Sequence, residues 1–249
     1  MKKTVYIVVA ALLLSCNGEN VPDCFQNAGD IIEKEFNVDS FTQITVNPRI
    51  ELIVTDAPTQ KVRVQTGEYL MPEIDVRVEN GRLKLFNDNA CNLTRDYGIT
   101  KVFVSAPNLT EIRNGSSRPV SSNGILSYET LMLVSEDFNQ EDELNTNGEF
   151  RLEIDCNNFS INLNNLSTCY ISGQAETVSI NYFSGDARFE GRNLVAQDVS
   201  IFQRSSNDMI INAQQSLTGE IRSTGDVIVV NTPLTVNVQQ FYTGQLIFE

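Results

Sequence analysis

Apolar and polar residues alternate with a period of two along most of the chain, the signature of half-buried β-strands. Ile50, Leu52 and Val54 form one such run, and Val62 with Val64 a second. Ile74, Val76 and Val78 form a third, followed by Leu83 and Leu85. Asp56-Ala57-Pro58 and Asn80-Gly81 punctuate them. Asn-Gly between alternating runs favours a type I′ turn, because both central residues need positive φ. The pattern predicts an antiparallel hairpin from Ile74–Val78 and Leu83–Phe86. From Asn17 onward no stretch carries a sustained helical period. Ile31 to Phe36 has room for one helical turn, which would lead into a strand.

From about Leu126 the texture changes to apolar pairs separated by small polar residues. Five runs align: Phe159-Ser-Ile161, Val178-Ser-Ile180, Val199-Ser-Ile201, Leu217-Thr-Gly219 and Leu234-Thr-Val236. Their first residues lie 19, 21, 18 and 17 positions apart. Tight-turn residues follow several of them, as in Ser184-Gly185-Asp186, Ser205 to Asp208 and Ser223-Thr224-Gly225-Asp226. A second short strand comes next each time: Ala187–Phe189, Met209–Ile211 and Val227–Val229. A strand, a small turn and a strand repeating about every 20 residues is a solenoid signature. One rung cannot bury its own apolar face, whereas rungs stacked at about 4.8 Å share a continuous interior. The expected fold is all-β, with a right-handed parallel β-helix, or solenoid, in the C-terminal part. It continues from an N-terminal β region containing antiparallel hairpins. An ordinary β-sandwich, whose strands also recur at short intervals, is the competing architecture.

The N-terminus carries a different signal. Lys2 and Lys3 precede an apolar run, Val5 to Leu14, which closes as Leu13-Leu14-Ser15-Cys16. A charged start followed by a short apolar stretch is the secretory pattern. The run is too short for a membrane span, which needs about 20 apolar residues. Leu-Leu-Ser-Cys directly after such a stretch resembles a bacterial lipobox, so residues 1–15 are expected to be removed and Cys16 to be lipidated. Acyl chains contribute about 0.8 kcal/mol per buried methylene and would hold the protein on a membrane face. Asn17 in place of Asp, by resemblance to enteric lipoproteins, implies transfer to the outer membrane. The domain plan is then a signal (1–15), a lipidated tether (16–35) and a β domain (36–249). The last divides into an N-terminal region (36–125) and the rungs (126–249).

Charge and composition exclude several function classes. The net charge is −14, and loss of Lys2 and Lys3 would make it −16. Such a surface repels phosphate backbones, which argues against nucleic-acid binding. There is no histidine, which removes the usual Ser-His-Asp and Cys-His constellations and His-ligated metal sites. No cofactor is implied. Beyond Cys16 the cysteines are Cys24, Cys91, Cys156 and Cys169. An even number in an oxidising compartment suggests disulfides, and several pairings are open. Cys24 and Cys91 sit in loops and suit a clip that pins the tether to the fold. Cys156 and Cys169 lie in or beside strands and read as buried thiols.

With these residues on the page, the chain resembles the head GIN-domain proteins, also described as putative auto-transporter adhesins and common in Bacteroidetes. Phe41 to Val46, followed by Ile50–Val54 and Val62–Val64, carries the first part of the likeness. Ala106-Pro107-Asn108-Leu109-Thr110-Glu111-Ile112, leading to Asn114-Gly115-Ser116, carries the second. The third is the rung series with its Ser-Gly-Asp and Thr-Gly-Asp turns, ending at Val230-Asn231-Thr232-Pro233. Asp23-Cys24-Phe25-Gln26 and Ala90-Cys91-Asn92 look like a cysteine-bearing subgroup, and that likeness implies a Cys24–Cys91 disulfide. The resemblance spans about residues 36–249 and brings no catalytic residues with it. The sequence departs from it at Glu136–Asn139 and Cys156–Asn158, which stand where the family shows Gly-Ser-Gly turns.

Candidate chemistry is sparse. Glu136, Asp137, Glu141, Asp142 and Glu143 form the main acidic run. Calcium ligation or a carboxylate pair for glycoside hydrolysis are the functional readings, and a solvated loop is the plain one. Asn114-Gly115-Ser116-Ser117 reads as turn chemistry rather than a phosphate nest. For Tyr182, Phe183, Phe202 and Tyr242 a glycan-stacking surface is the functional reading, and core filling or capping of the final rung is the plain and favoured one. The expected function is a non-catalytic, lipid-anchored envelope protein, an adhesin-like module that binds a glycan or a protein surface. A carbohydrate-active β-helix enzyme and a purely structural envelope component are the alternatives.

Overall fold

The computed structural model describes residues 23–93, 95–138 and 145–249. Ten strands precede the repeats. They are β1 (Ile31–Phe36), β2 (Gln43–Val46), β3 (Glu51–Asp56), β4 (Lys61–Gly67), β5 (Ile74–Glu79) and β6 (Arg82–Asn87), then β7 (Lys101–Ala106), β8 (Glu111–Asn114), β9 (Val120–Leu126) and β10 (Thr130–Ser135). Four long strands follow: β11 (Glu149–Leu163), β12 (Thr168–Tyr182), β13 (Arg188–Gln203) and β14 (Met209–Ile221). The last are β15 (Val227–Val229), β16 (Thr235–Gln240) and β17 (Leu246–Phe248). Among the described residues the helical elements are short 3₁₀ turns, Asp23–Phe25 and Met71–Glu73. The fold is all-β.

All 17 strands join one sheet of mixed direction. Strand pairing runs along two ladders. One ladder follows β5, β6, β2, β8 and β10, then the second halves of β11 to β14, then β16. The other follows β1, β4, β7, β3 and β9, then the first halves of β11 to β14, then β15 and β17. Only the β1–β4, β4–β7 and β5–β6 pairs are antiparallel. Each long strand serves both ladders: Phe150 of β11 stands opposite Cys169, and Phe159 of the same strand opposite Val178.

The repeat predicts the register of the rungs. Phe159, Val178, Val199 and Leu217 are successive partners on adjacent strands. Ile161, Ile180 and Ile201 line up beside them, and all these side chains are buried. Each such burial contributes roughly 1.5–3 kcal/mol. The alternate positions Ser160, Ser179, Ser200 and Thr218 lie between them on the outer side, where Asn181 donates to Asn162 at 3.0 Å. The turns stack too. Asp208 Oδ1 accepts the Asp226 N–H at 3.1 Å, and Asp226 Oδ1 accepts the Gln245 N–H at 2.8 Å. Asp208 and Asp226 therefore satisfy backbone donors of the next rung, while Asp186 accepts from the Ser206 hydroxyl at 2.7 Å. The Asn80-Gly81 hairpin forms as expected, with φ of 52° and 75°.

Two expectations change. Ile31–Phe36 is not a helical turn but strand β1, because its backbone pairs antiparallel with β4 from Ile31↔Gly67 to Phe36↔Val62. The fifth rung was aligned on Leu234, but Leu217 stands opposite Val236. Leu234 follows Pro233 in the connection and is exposed, so the true spacing is two residues longer than the sequence phrase suggests. Tyr182 fills the core, as its plain reading expects: it lies two residues beyond inward-facing Ile180 on a strand, so it faces the same way.

Candidate functional site

Cys16, the expected lipidation site, lies outside the described residues, as do Glu141, Asp142 and Glu143. Cys24 and Cys91 are joined by a disulfide, with Cα atoms 4.5 Å apart. Backbone and side-chain hydrogen bonds reinforce it. The Leu93 N–H donates to the Cys24 carbonyl at 3.0 Å. Arg95 donates to the carbonyls of Gln26 at 3.1 Å and Cys91 at 2.9 Å. Gln26 Nε2 reaches the Tyr69 carbonyl at 3.0 Å. The clip thus fastens the segment before β1 to the loop after β6.

A cleft opens beside this clip. Its main chamber, about 600 Å³, is lined by Asn27, Asp30, Glu68, Tyr69, Arg95 and Asp96, among others. A side chamber of about 60 Å³ shares Arg95 and Asp96 and adds Arg49, Asn87, Asn89, Tyr97, Gly98 and Arg118. Arginines from three separate connections therefore meet at one place in a strongly acidic protein. Arg49 is held with φ of 72°, and its Nε and Nη2 both donate to the Asn87 carbonyl, at 3.1 and 2.8 Å. The Arg118 guanidinium lies against Gly98, where an added Cβ would come within 2.7 Å of Cζ. Arg49 and Arg118 have no carboxylate ion-pair partner among the described residues.

Asn89 lines the same side chamber. It is 6% exposed, and its Nδ2 is committed to the Leu70 carbonyl at 3.0 Å and Asn87 Oδ1 at 2.9 Å. Its Oδ1 has no partner. A buried acceptor left without a donor costs about 1–3 kcal/mol. Guanidinium donors lining a cleft suit a carboxylate group. Sequence reasoning missed this site, because residues 49, 95 and 118 show no linear spacing. The positive φ at Arg49 is set by the turn after Asn47-Pro48 and leaves only a weak trace in the sequence.

The other candidates resolve into structural roles. Glu136 pairs with Arg113 at 2.8 Å, and Asp137 accepts from Asn164 at 2.6 Å and Asn165 at 3.2 Å. No group of three potential metal ligands occurs among the described residues. In Asn114–Ser117, Asn114 Oδ1 accepts the Ser116 N–H at 2.9 Å, and Ser116 Oγ accepts the Arg118 N–H at 3.1 Å, which is turn chemistry. Phe183 packs between Phe138 and Phe202, with ring centroids 6.1 Å apart in both pairs. Tyr242 is exposed in the turn between β16 and β17, on the final rung.

Cys156 and Cys169 are free and buried. They cannot meet: Cys169 stands opposite Phe150 at the start of β11, and Cys156 opposite Ala175 well along it. Burial pushes the Cys156 thiol up to about 11 and the Cys169 thiol higher still. The Tyr182 hydroxyl, beside Cys169, is also raised by burial. Native protein should therefore resist thiol reagents at pH 8, since the thiolate is the reactive form. These folded-state values lie above the ordinary thiol value of 9.0, so the unfolded chain gives up its protons first. The stabilisation is complete below pH 9 and is lost as pH rises toward 11. The thermal midpoint should fall across that window, and less steeply in a Cys169→Ala variant. A flat profile would show that these thiols are hydrated.

The scaffold is all-β, built of stacked strands, with a polar cleft beside the disulfide clip. The chain belongs to the family described as "Putative auto-transporter adhesin, head GIN domain", which it matches over residues 40–233. Solved structures share the fold. A putative adhesin from Bacteroides fragilis is 16% identical, with a TM-score of 0.78 over 90% of this chain and 99% of that one. A putative lipid binding protein from Parabacteroides distasonis is 16% identical, with a TM-score of 0.65 over 89% and 97%. A putative adhesin from Parabacteroides merdae is 15% identical, with a TM-score of 0.58 over 89% and 97%. No curated protein matches the chain.

Proposed function

We propose that the protein is a non-enzymatic, lipid-anchored module of the bacterial envelope that presents a right-handed β-solenoid to an acidic glycan. The carrying observation is the cleft that Arg49, Arg95 and Arg118 line together. The right-handed coil is supported by the parallel ladders, since crossovers between parallel strands are right-handed in about 98% of cases. The antiparallel pairs all fall before residue 126, which supports reading 36–125 as an entry region and 126–249 as the rungs. Membership in an adhesin-described family and the adhesin-like neighbours agree with a binding role.

Anchoring follows from the lipobox-like Leu13–Cys16. Cys16 and the disulfide residue Cys24 are eight positions apart, which spans at most about 28 Å. The clip and its cleft would then sit close to the membrane face, with the last rung pointing away. Labelled palmitate should enter the wild-type protein and not a Cys16→Ser variant, and equal labelling of both would remove the anchor.

The ligand is tested with the chain carrying Cys16→Ser on an array of neutral and carboxylated glycans. Carboxylated glycans should be retained. Arg49→Ala or Arg118→Ala should each weaken binding by about tenfold, the loss of one charge-assisted hydrogen bond. Retention of neutral glycans with equal strength, or no retention at all, would remove the cleft as the binding site.

A further inference from the structure

The two ends of the ladders differ in chemistry. At one end the outer strands are β1 and β5, whose residues include Glu33, Lys34 and Glu35, and Asp75, Arg77 and Glu79. Charges of this kind on an outer strand block edge-to-edge pairing. At the other end the outer strands are β16, paired with β14, and β17, paired with β15. Among the described residues neither has a partner on its far side. From Val227 to Phe248 the sequence contains no charged residue, in a chain with a net charge of −14. Leu234, Phe241 and Tyr242 are 82%, 52% and 65% exposed. Val238 and Leu246 pack on the core but stay only partly covered, with no further rung over them among the described residues.

We propose that this bare end is covered by the same end of a second copy, with β16 pairing antiparallel to its counterpart across a two-fold axis. A two-fold contact needs one self-complementary patch, and an uncharged strand edge is self-complementary. Two chains of charge −14 repel one another, and the neutral final rung is where a second copy approaches with the least repulsion. A lipid surface suits the exposed Leu234 and Phe241 side chains but not the edge, whose free N–H and C=O groups find no partner in hydrocarbon. A second strand satisfies both the side chains and the backbone.

The test is sedimentation of the full chain carrying Cys16→Ser, over a concentration series. A reversible monomer–dimer equilibrium is expected. Val236 is 40% exposed on β16, so Val236→Lys and Val236→Glu should fold, with only modestly lowered thermal midpoints. Each should weaken the dimer by at least about tenfold through like-charge contact. An equimolar mixture of the two should restore association, because Lys then faces Glu. A monomer at every concentration, or a dimer indifferent to both substitutions, would overturn the proposal. So would flotation with phosphatidylcholine vesicles that Val236→Lys abolishes, since that outcome assigns the end to lipid. Neither result bears on glycan retention by the cleft, which lies beside β1 and β4 at the opposite end of the ladders.

Discussion

Removing the Cys24–Cys91 disulfide is expected to lower the unfolding free energy by about 4 kcal/mol, the loop-closure entropy of a crosslink of this span. The bridge joins residues 67 positions apart and encloses β1 to β6 in one loop. It acts chiefly on the unfolded chain, which the crosslink keeps compact. A native effect adds to this. Without the bridge, the segment before β1 is held by the Leu93–Cys24, Arg95–Gln26 and Gln26–Tyr69 hydrogen bonds, among others, and the cleft loses its rigid wall. The measurement is urea unfolding of the Cys16→Ser chain with and without reductant, alongside a Cys24→Ser/Cys91→Ser pair. Denatured protein should show Cys156 and Cys169 as free thiols before reduction, with Cys24 and Cys91 appearing after it. Glycan retention should weaken in step with the lost stability. If the urea midpoint is unmoved while the extra thiols titrate, the clip has no thermodynamic role.

What the sequence disclosed was whatever repeats or punctuates locally. The apolar-Ser-Ile phrase placed Val178 and Val199 in register because the same rung recurs with the same inward positions. Leu217 follows although its phrase reads Leu-Thr-Gly. Asn80-Gly81 disclosed its hairpin because a tight turn with two positive φ values restricts residue choice severely. Failures occurred where long-range pairing decides. Ile31–Phe36 is a strand only because β4 offers it an edge. Leu234 looked like the next rung because the phrase Leu-Thr-Val repeats, yet the Asn231-Thr232-Pro233 connection moves the register to Val236. The cleft was illegible for the same reason, since Arg49, Arg95 and Arg118 are neighbours only once the connections between strands are stacked.

Close stacking of rungs makes a sharp demand at Gly173 and Gly219, and substitution there should be strongly destabilising. Gly219 has φ of +130°, and an added Cβ would lie 1.9 Å from the Ile201 carbonyl oxygen on the preceding rung. Gly173 has φ of +106°, with the corresponding distance to the Ile154 oxygen 2.0 Å. Backbone, not a flexible side chain, occupies the space, so the rung itself would have to move. Strain at such a φ costs about 1–3 kcal/mol, and displacing a ladder strand adds to it. Gly219→Ala should therefore cost at least about 4 kcal/mol, well beyond an ordinary substitution. Gly124 supplies the comparison. Its φ is +87°, but nothing lies within 4 Å of its added Cβ. Gly124→Ala should lose only the conformational part, about 1–2 kcal/mol. Chemical denaturation of both variants separates the two contributions, because they share a positive φ and differ in what the methyl group meets. Equal losses at the two positions would mean that the strand carrying Ile201 yields freely at Gly219, and the tight rung-to-rung contact would then not be what holds the ladder in register.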